Sequence, residues 1–436
     1  MGRTMNRHHR TWLGCRAALL AGALLAGGAP APRADDFQGA THLMPLDEES
    51  TGYSRAVAQD AVARLQQRLE AGAVKLKFAG AQGYLPAVLE AFGISPTSQT
   101  LVFSKTSLQR DRIFPQRPRA VFFNDDVYVG FIPGAPLLEI SVADPKLGGV
   151  FYTLEQVEQE RPRLVRNNQC LECHASSKTM GVPGHLVRSF ATDRDGAVDL
   201  QTGISLVTHR TPFSDRWGGW YVTGTHGAQS HRGNLVGPAD FAEAGKRPNY
   251  HGNLTSIGRF FDNTPYPTPH SDIVALMVLT HQAHMHNFIT RLHYEAAAAL
   301  RQFGHLRYLR SQTDGFLRYL LCTEEARLTG AVRGTSGFAK WFAGLGPRDR
   351  RGRSLRDLDL ETRLFQHPCS HLIYSEAFDA LPAPMRAVVY QRLHDILTGK
   401  DTSPDFAGIP DATKRAILEI LRDTKAGLPD YWSKGE

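Results

Sequence analysis

Several kinds of feature are scarce or missing in this chain of 436 residues. Charged residues make up 21% and hydrophobic residues 42%, which argues against wholesale disorder. The sequence contains no collagen-like or other internal repeat, and its marked apolar run, residues 17–28, is too short to anchor a helix across a bilayer. A globular protein with a real core, long enough for about two to three domains, is therefore expected.

The charge balance is less basic than it first appears. The chain has 50 basic and 43 acidic residues, a formal charge of +7. Residues 1–34 combine a basic start, a short apolar run and a zone of small residues, which is the order of a secretory signal. Cleavage after Ala34 leaves 45 basic and 43 acidic residues, or +2, and removes Cys15. The sequence therefore predicts an exported, periplasmic protein without a membrane span after cleavage, and the charge does not indicate a nucleic-acid partner.

The pattern of apolar residues predicts an α+β fold that is mainly helical. Residues 35–160 combine helical periodicity with strand-like runs separated by turn formers, which favours a small antiparallel β-meander. Residues 161–270 are rich in Gly, Asn, Asp and His and are expected to form loops with two short strands. Residues 271–436 read as a helical region.

One short motif carries recognisable chemistry. Cys170, Cys173 and His174 form a Cys-x-x-Cys-His sequence, the attachment site of a c-type haem. Two thiols on one helical turn reach the vinyl groups of one porphyrin, and the adjoining imidazole becomes the proximal ligand of the iron. A thioredoxin-like pair needs a βαβ setting, and a zinc site needs two more ligands at paired spacing. Because the sequence has neither, one covalent haem is the favoured cofactor.

On these residues the chain resembles the c-type cytochromes. Two further segments, residues 118–130 and 216–227, resemble large single-haem proteins of the bacterial envelope. The resemblance implies haem c and an envelope location but no particular activity. The chain is several times longer than a small electron carrier, and its single motif separates it from dihaem peroxidases and dehydrogenases.

The sixth ligand of the iron stays open among several candidates. His281 and Met285 lie one turn apart on the apolar stripe of a helix that begins near Ser271 and is expected to pack over the haem. His226 lies in a loop flanked by glycines, where the backbone can approach a cofactor closely. Met180 is only six residues beyond the proximal histidine and is a strained alternative.

Other groups remain after the motif is assigned. Cys322 and Cys369 either form a disulfide or stay as two buried free thiols. His281, His284 and His286 fall within six residues and offer an alternative site for a second metal.

Two functions follow from a single haem. The first is electron transfer with a redox partner protein, supported by one motif and by the absence of a nucleotide-binding loop or a His-Glu-x-x-His sequence. The second is a haem enzyme of peroxidase or oxygenase type, whose extra length builds a pocket for a small-molecule substrate beside an open or exchangeable position on the iron. A haem-based sensor has no positive support, and no catalytic side chain is singled out.

Overall fold

A computed structural model describes residues 43–48, 51–202 and 205–433 of the protein. These residues combine a large antiparallel sheet in the N-terminal half with helices in the C-terminal part, so the predicted α+β class is confirmed. The predicted export signal, residues 1–34, lies outside the described residues. Within those ranges, no helix has both the length and the apolar character needed to cross a bilayer.

The large sheet has seven strands in the described part of the chain, and each hydrogen-bonded pair is antiparallel. Its order is β6-β5-β4-β3-β2-β1-β9, while β7 and β8 form a separate pair. The strands are β1 (Thr100–Val102), β2 (Arg119–Phe123), β3 (Val127–Phe131), β4 (Leu137–Asp144), β5 (Gly148–Glu155), β6 (Val165–Arg166), β7 (Arg188–Ser189), β8 (Ser205–Leu206) and β9 (Trp220–Tyr221).

Helices cover one face of the sheet and form most of the C-terminal part. The helices are α1 (Ala61–Glu70), α2 (Leu85–Ala91), α3 (Leu171–His174), α4 (Gly237–Lys246), α5 (Ile273–Phe303), α6 (Arg310–Leu320), α7 (Phe338–Ala343), α8 (Glu376–Asp379), α9 (Ala383–Leu397) and α10 (Asp411–Thr424). Helix α5 begins where Asp272 accepts hydrogen bonds from the backbone N–H groups of Val274 and Ala275, and it ends at Gly304 in the left-handed conformation.

The two faces of the sheet have different roles. Successive side chains of a strand point to opposite faces, so Phe122, Val129 and Ile140 share one face and pack in the same core cluster as α1 and α2. Tyr128 and Phe151 belong to the other face, in one row across three paired strands. This second face is the floor of the cavity described below.

Helix α5 differs from the amphipathic helix that its sequence suggests. Every residue from 273 to 292 is buried, so the first five turns are enclosed on all sides. An apolar stripe on such a helix does not identify the side that faces a cofactor. Strand β9 is one of the two short strands expected within residues 161–270, and it pairs with β1 at the edge of the sheet, a pairing that the sequence pattern does not indicate.

Candidate cofactor cavity at the Cys170 motif

The Cys-x-x-Cys-His motif occupies a single helical turn. The Asn167 side chain caps a short 3-10 turn that ends at Cys170, and α3 then carries Cys173 and His174. Cys170 is partly buried and Cys173 is exposed. The turn therefore brings both thiols and the imidazole to one place, as the spacing predicts.

His174 is held in a fixed orientation by the segment that follows it. Its Nδ1 lies 2.9 Å from the Gly184 carbonyl oxygen, and the Gly184 N–H donates to the His174 carbonyl oxygen at 2.8 Å. Nδ1 acts as the donor to a carbonyl, so Nε2 is the ring nitrogen left for a ligand. Burial lowers the pKa of His174 to about 4, which keeps the imidazole neutral near pH 7.

A cavity of about 660 Å³ adjoins the motif. Its volume falls within the range of about 300 to 1,000 Å³ that is typical of small-molecule and cofactor sites. The sheet, the motif, nearby loops and α5 supply its main lining residues: Val102, Lys105, Arg110, Arg119, Val121, Tyr128, Glu139, Phe151, Cys170, Cys173, His174, His185, Val187, Arg188, Phe190, Trp220, Leu279 and Ala283.

The cavity wall is mainly apolar, with four basic side chains and three acidic ones: Lys105, Arg110, Arg119, Arg188, Asp111, Glu139 and Glu172. Arg119 is paired with Glu139 at 2.8 Å, so its charge is already balanced. Arg188 has no carboxylate partner within the described residues, and its guanidinium lies 5.1 Å from the Phe190 ring centroid. Burial lowers the pKa of Arg188, because the surroundings disfavour its uncompensated charge. Arg188 is therefore the cation on this mainly apolar wall that an anionic group of a ligand would compensate.

His185 is a cavity residue that the sequence analysis missed. It is 5% exposed, and neither ring nitrogen has a hydrogen-bond partner in the part of the chain that the structure describes. Its ring centroid lies 4.5 Å from that of Tyr128 and 6.2 Å from that of Phe151. A buried imidazole without partners is costly, at about 1 to 3 kcal/mol for each unsatisfied group. A ligand in the cavity would relieve that cost.

The backbone of His185 is fixed by α5. The Asn287 side chain accepts from the His185 N–H and donates to the His185 carbonyl oxygen, both at 2.8 Å. A Cβ atom at Gly184 would lie only 2.2 Å from Asn287 Oδ1, so this close approach requires glycine. Asn287 thus places two neighbouring groups, the carbonyl that orients His174 and the imidazole of His185.

The three predicted distal ligands lie elsewhere. His281 Nδ1 is 2.9 Å from His209 Nδ1, and its Nε2 is 2.8 Å from Ser370 Oγ. Nε2 of His226 accepts from the Asn253 N–H at 3.0 Å. The structure brings neither histidine to the cavity of the motif.

Met285 is also remote from the motif. It is fully buried in the C-terminal helical core cluster, which contains Met180 as well. The residues of α5 that line the cavity are Leu279 and Ala283, and Met285 is not among them. Because this helix is buried around its whole circumference, the spacing of His281 and Met285 carries no information about which side meets the cavity.

Within the described residues, the two cysteines outside the motif, Cys322 and Cys369, are free thiols. Cys322 and Cys369 are both buried, and burial raises the pKa of each thiol. Of the two alternatives left open by the sequence, the structure shows the free thiols and no disulfide.

The residues at the motif fit a covalent haem. Two thiols and one oriented imidazole stand on one turn beside an apolar cavity of suitable size, and a second unpartnered imidazole lies on the wall. Comparison with protein-family models, curated proteins and solved structures finds no match, so the functional proposal rests on the sequence and on this geometry.

Proposed function

We propose that the protein holds one haem c through thioether bonds to Cys170 and Cys173, with His174 as an axial ligand, and acts in electron transfer. The observation that carries the proposal is the cavity, which gathers the complete motif and the unpartnered His185. A bound haem supplies one-electron redox chemistry at its iron.

His174 is prepared for ligation by its hydrogen bond to the Gly184 carbonyl. That bond fixes the tautomer, holds the ring plane and raises the basicity of Nε2. Burial keeps the ring neutral, and a neutral imidazole is the form that binds iron.

His185 is the candidate for the second axial position. It is buried on the cavity wall, both ring nitrogens lack partners, and Asn287 fixes its backbone. A histidine in this position favours electron transfer, because it leaves no exchangeable site for oxygen or peroxide. The haem-enzyme alternative, with its small-molecule substrate, requires that His185 stay off the iron.

Basic side chains on the wall would meet the propionates. Arg188 is the strongest candidate, since no carboxylate within the described residues balances it. A charge-assisted hydrogen bond to a carboxylate would compensate the partly buried guanidinium. Lys105, which lies 4.0 Å from the Phe114 ring centroid, is a second cation on the same wall.

The proposal includes an exported location and a redox partner protein. Its support is the signal-like order of residues 1–34 together with the motif, because covalent haem attachment belongs to exported proteins. Electron transfer requires a donor and an acceptor, and the redox partner protein would supply one of them.

Carbon monoxide added to the reduced protein separates the two functions. For a six-coordinate electron-transfer centre we expect a low-spin spectrum, reversible one-electron titration and no rapid binding of carbon monoxide. Rapid binding on mixing would instead support the enzyme alternative with an open iron.

A further inference from the structure

We propose that His209, His281 and Cys322 bind a single thiophilic metal ion, Cu(I) or Zn(II), at a site separate from the cavity of the motif. One ligand atom from each of these side chains lies within 4.8 Å of the others. The three residues, here called the buried cluster, are 2%, 0% and 4% exposed. Two imidazoles and one thiolate are the ligands that copper and zinc accept in proteins.

The two imidazoles already face each other. Nδ1 of His209 lies 2.9 Å from Nδ1 of His281, a separation that allows only one shared proton between two ring nitrogens. Both rings are neutral, because burial lowers their pKa values, to about 3 for His281 and well below the usual range for His209. A change of tautomer that moves the shared proton to Nε2 of its own ring leaves both imidazoles neutral and directs both Nδ1 lone pairs toward a metal ion.

Neighbouring residues orient these imidazoles. His281 Nε2 lies 2.8 Å from Ser370 Oγ, which occupies its second ring nitrogen. The His209 ring stacks on Tyr319 with centroids 3.9 Å apart and planes inclined by 12°. Outer partners of this kind fix the ring orientation at metal sites, and their presence makes the pair a prepared site.

Cys322 reaches the imidazoles from an unusual backbone conformation. It follows the end of α6 with φ of 51°, in the left-handed region that favours glycine. A residue with a β-carbon is strained in this conformation. Strained residues of this kind are concentrated at functional sites. The strained turn carries a thiol, the softest ligand type in proteins, to a pair of neutral imidazoles.

Cys322 also lies on the wall of a second cavity, of about 230 Å³, whose lining includes Glu325 and Arg363. Burial raises the pKa of Glu325 to about 7. Cu(I) with one thiolate and two neutral imidazoles has no net charge, which suits a buried site. Zn(II) needs one more anion, and the carboxyl group of Glu325 lies on the wall of the same cavity as Cys322.

The test uses the full chain with its haem attached, stripped by a chelator and then dialysed against Zn(II) or Cu(I). We expect one equivalent of added metal per chain, measured by element-specific mass spectrometry. X-ray absorption at the copper or zinc edge should show one sulfur and two imidazole ligands. The copper and zinc absorption edges are separate from the iron edge of the haem. A chain that binds no copper or zinc would therefore not contradict the haem proposal.

Two alanine variants provide the comparison. Cys322→Ala should lose the bound metal, whereas Cys369→Ala removes a thiol of equal burial outside the cluster and should keep it. No retained metal in the unmodified chain, or equal retention by both variants, would overturn the proposal. If Cys322→Ala does not fold, the absorption spectrum of the unmodified chain decides, and a spectrum without a sulfur ligand overturns it.

Free thiols at the motif are a possible second source of sulfur ligation. If the purified chain has not formed both thioethers, the same comparison is made with Cys170→Ala and Cys173→Ala present in every sample. Metal that is lost with those two substitutions belongs to the motif and counts against the buried cluster.

Discussion

The cavity of the motif and the buried cluster both contain thiols and imidazoles, but the motif takes them from one stretch of sequence and the cluster takes them from three separate segments. The motif places Cys170, Cys173 and His174 on one turn, with one thiol partly buried and one exposed. The buried cluster draws its residues from positions 209, 281 and 322, and all of them are enclosed. A contiguous ligand set can be read from spacing, whereas a set assembled by the fold has no signature in the sequence.

The two regions also differ in what surrounds their imidazoles. In the cavity, a backbone carbonyl orients His174, and the neighbouring His185 is left without partners beside a large space. In the helical part, His281 is held between His209 and Ser370 with both ring nitrogens occupied. The first arrangement suits a large planar ligand, and the second suits a single ion.

The largest expected effect concerns His185. His185→Gly should change the reduced haem protein from unreactive to rapidly reactive with carbon monoxide, because the axial position would be vacated. Stopped-flow mixing measures the rate. The control is His286→Gln, which changes a buried imidazole whose ring centroid lies 5.8 Å from that of His185 but which does not line the cavity. Equal rates of carbon monoxide binding by the two variants would show that His185 does not bind the iron.

The second effect is acid sensitivity of the helical region. Burial lowers the pKa of His284 to about 3, against the ordinary value of 6.5. The unfolded chain therefore binds a proton at His284 that the folded chain excludes. The contribution of the neutral His284 ring to the free energy of unfolding is fully present above pH 6.5 and is lost progressively as pH falls toward 3.

His284→Phe keeps an aromatic ring among Phe288 and Tyr319 and removes this group. Relative to the unmodified chain, we expect the variant to gain up to about 3 kcal/mol between neutral pH and pH 4. Thermal unfolding across this pH range measures the change in slope. An unchanged slope would show that the His284 ring is protonated in the folded protein or accessible to water.

A smaller effect concerns the positioning of the cavity residues. Asn287→Leu removes both hydrogen bonds to the His185 backbone and should cost about 2 kcal/mol, at about 1 kcal/mol for each bond. It should also shift part of the haem spectrum toward a high-spin form, since the second imidazole loses its fixed position.

Gln99→Leu is the matched control at a buried amide that does not line the cavity. Gln99 donates to the Thr268 and His270 carbonyl oxygens, so its loss also removes hydrogen bonds to two backbone groups. We expect similar destabilisation without the spectral change. A spectral change of equal size in both variants would mean that Asn287 acts only through general stability.

Local signals in the sequence predicted local features of the structure. The motif forms one turn, Asp272 caps the long helix, and the meander of β2 to β5 is antiparallel. These features depend on spacing, capping and alternation over a few residues, all of which are visible in a single sequence.

Features that depend on the tertiary fold were not predictable in the same way. The face of α5 that meets the cavity is set by what packs around a helix that is buried on all sides. His185 faces the cavity because Asn287, which is 102 residues away, fixes its backbone. Neither relation produces a periodic pattern in the sequence. The helical spacing of His281 and Met285 and the glycine-flanked loop of His226 reflect other parts of the core.

Attachment of haem to the motif is the central claim, and the intact mass of the denatured chain tests it most directly. The full chain, produced in a host that exports proteins and attaches haem, should retain one haem per chain after denaturation and show the absorption spectrum of a thioether-linked haem. The double variant Cys170→Ala, Cys173→Ala should retain none. A chain without retained haem, or equal retention by the variant, would contradict the account.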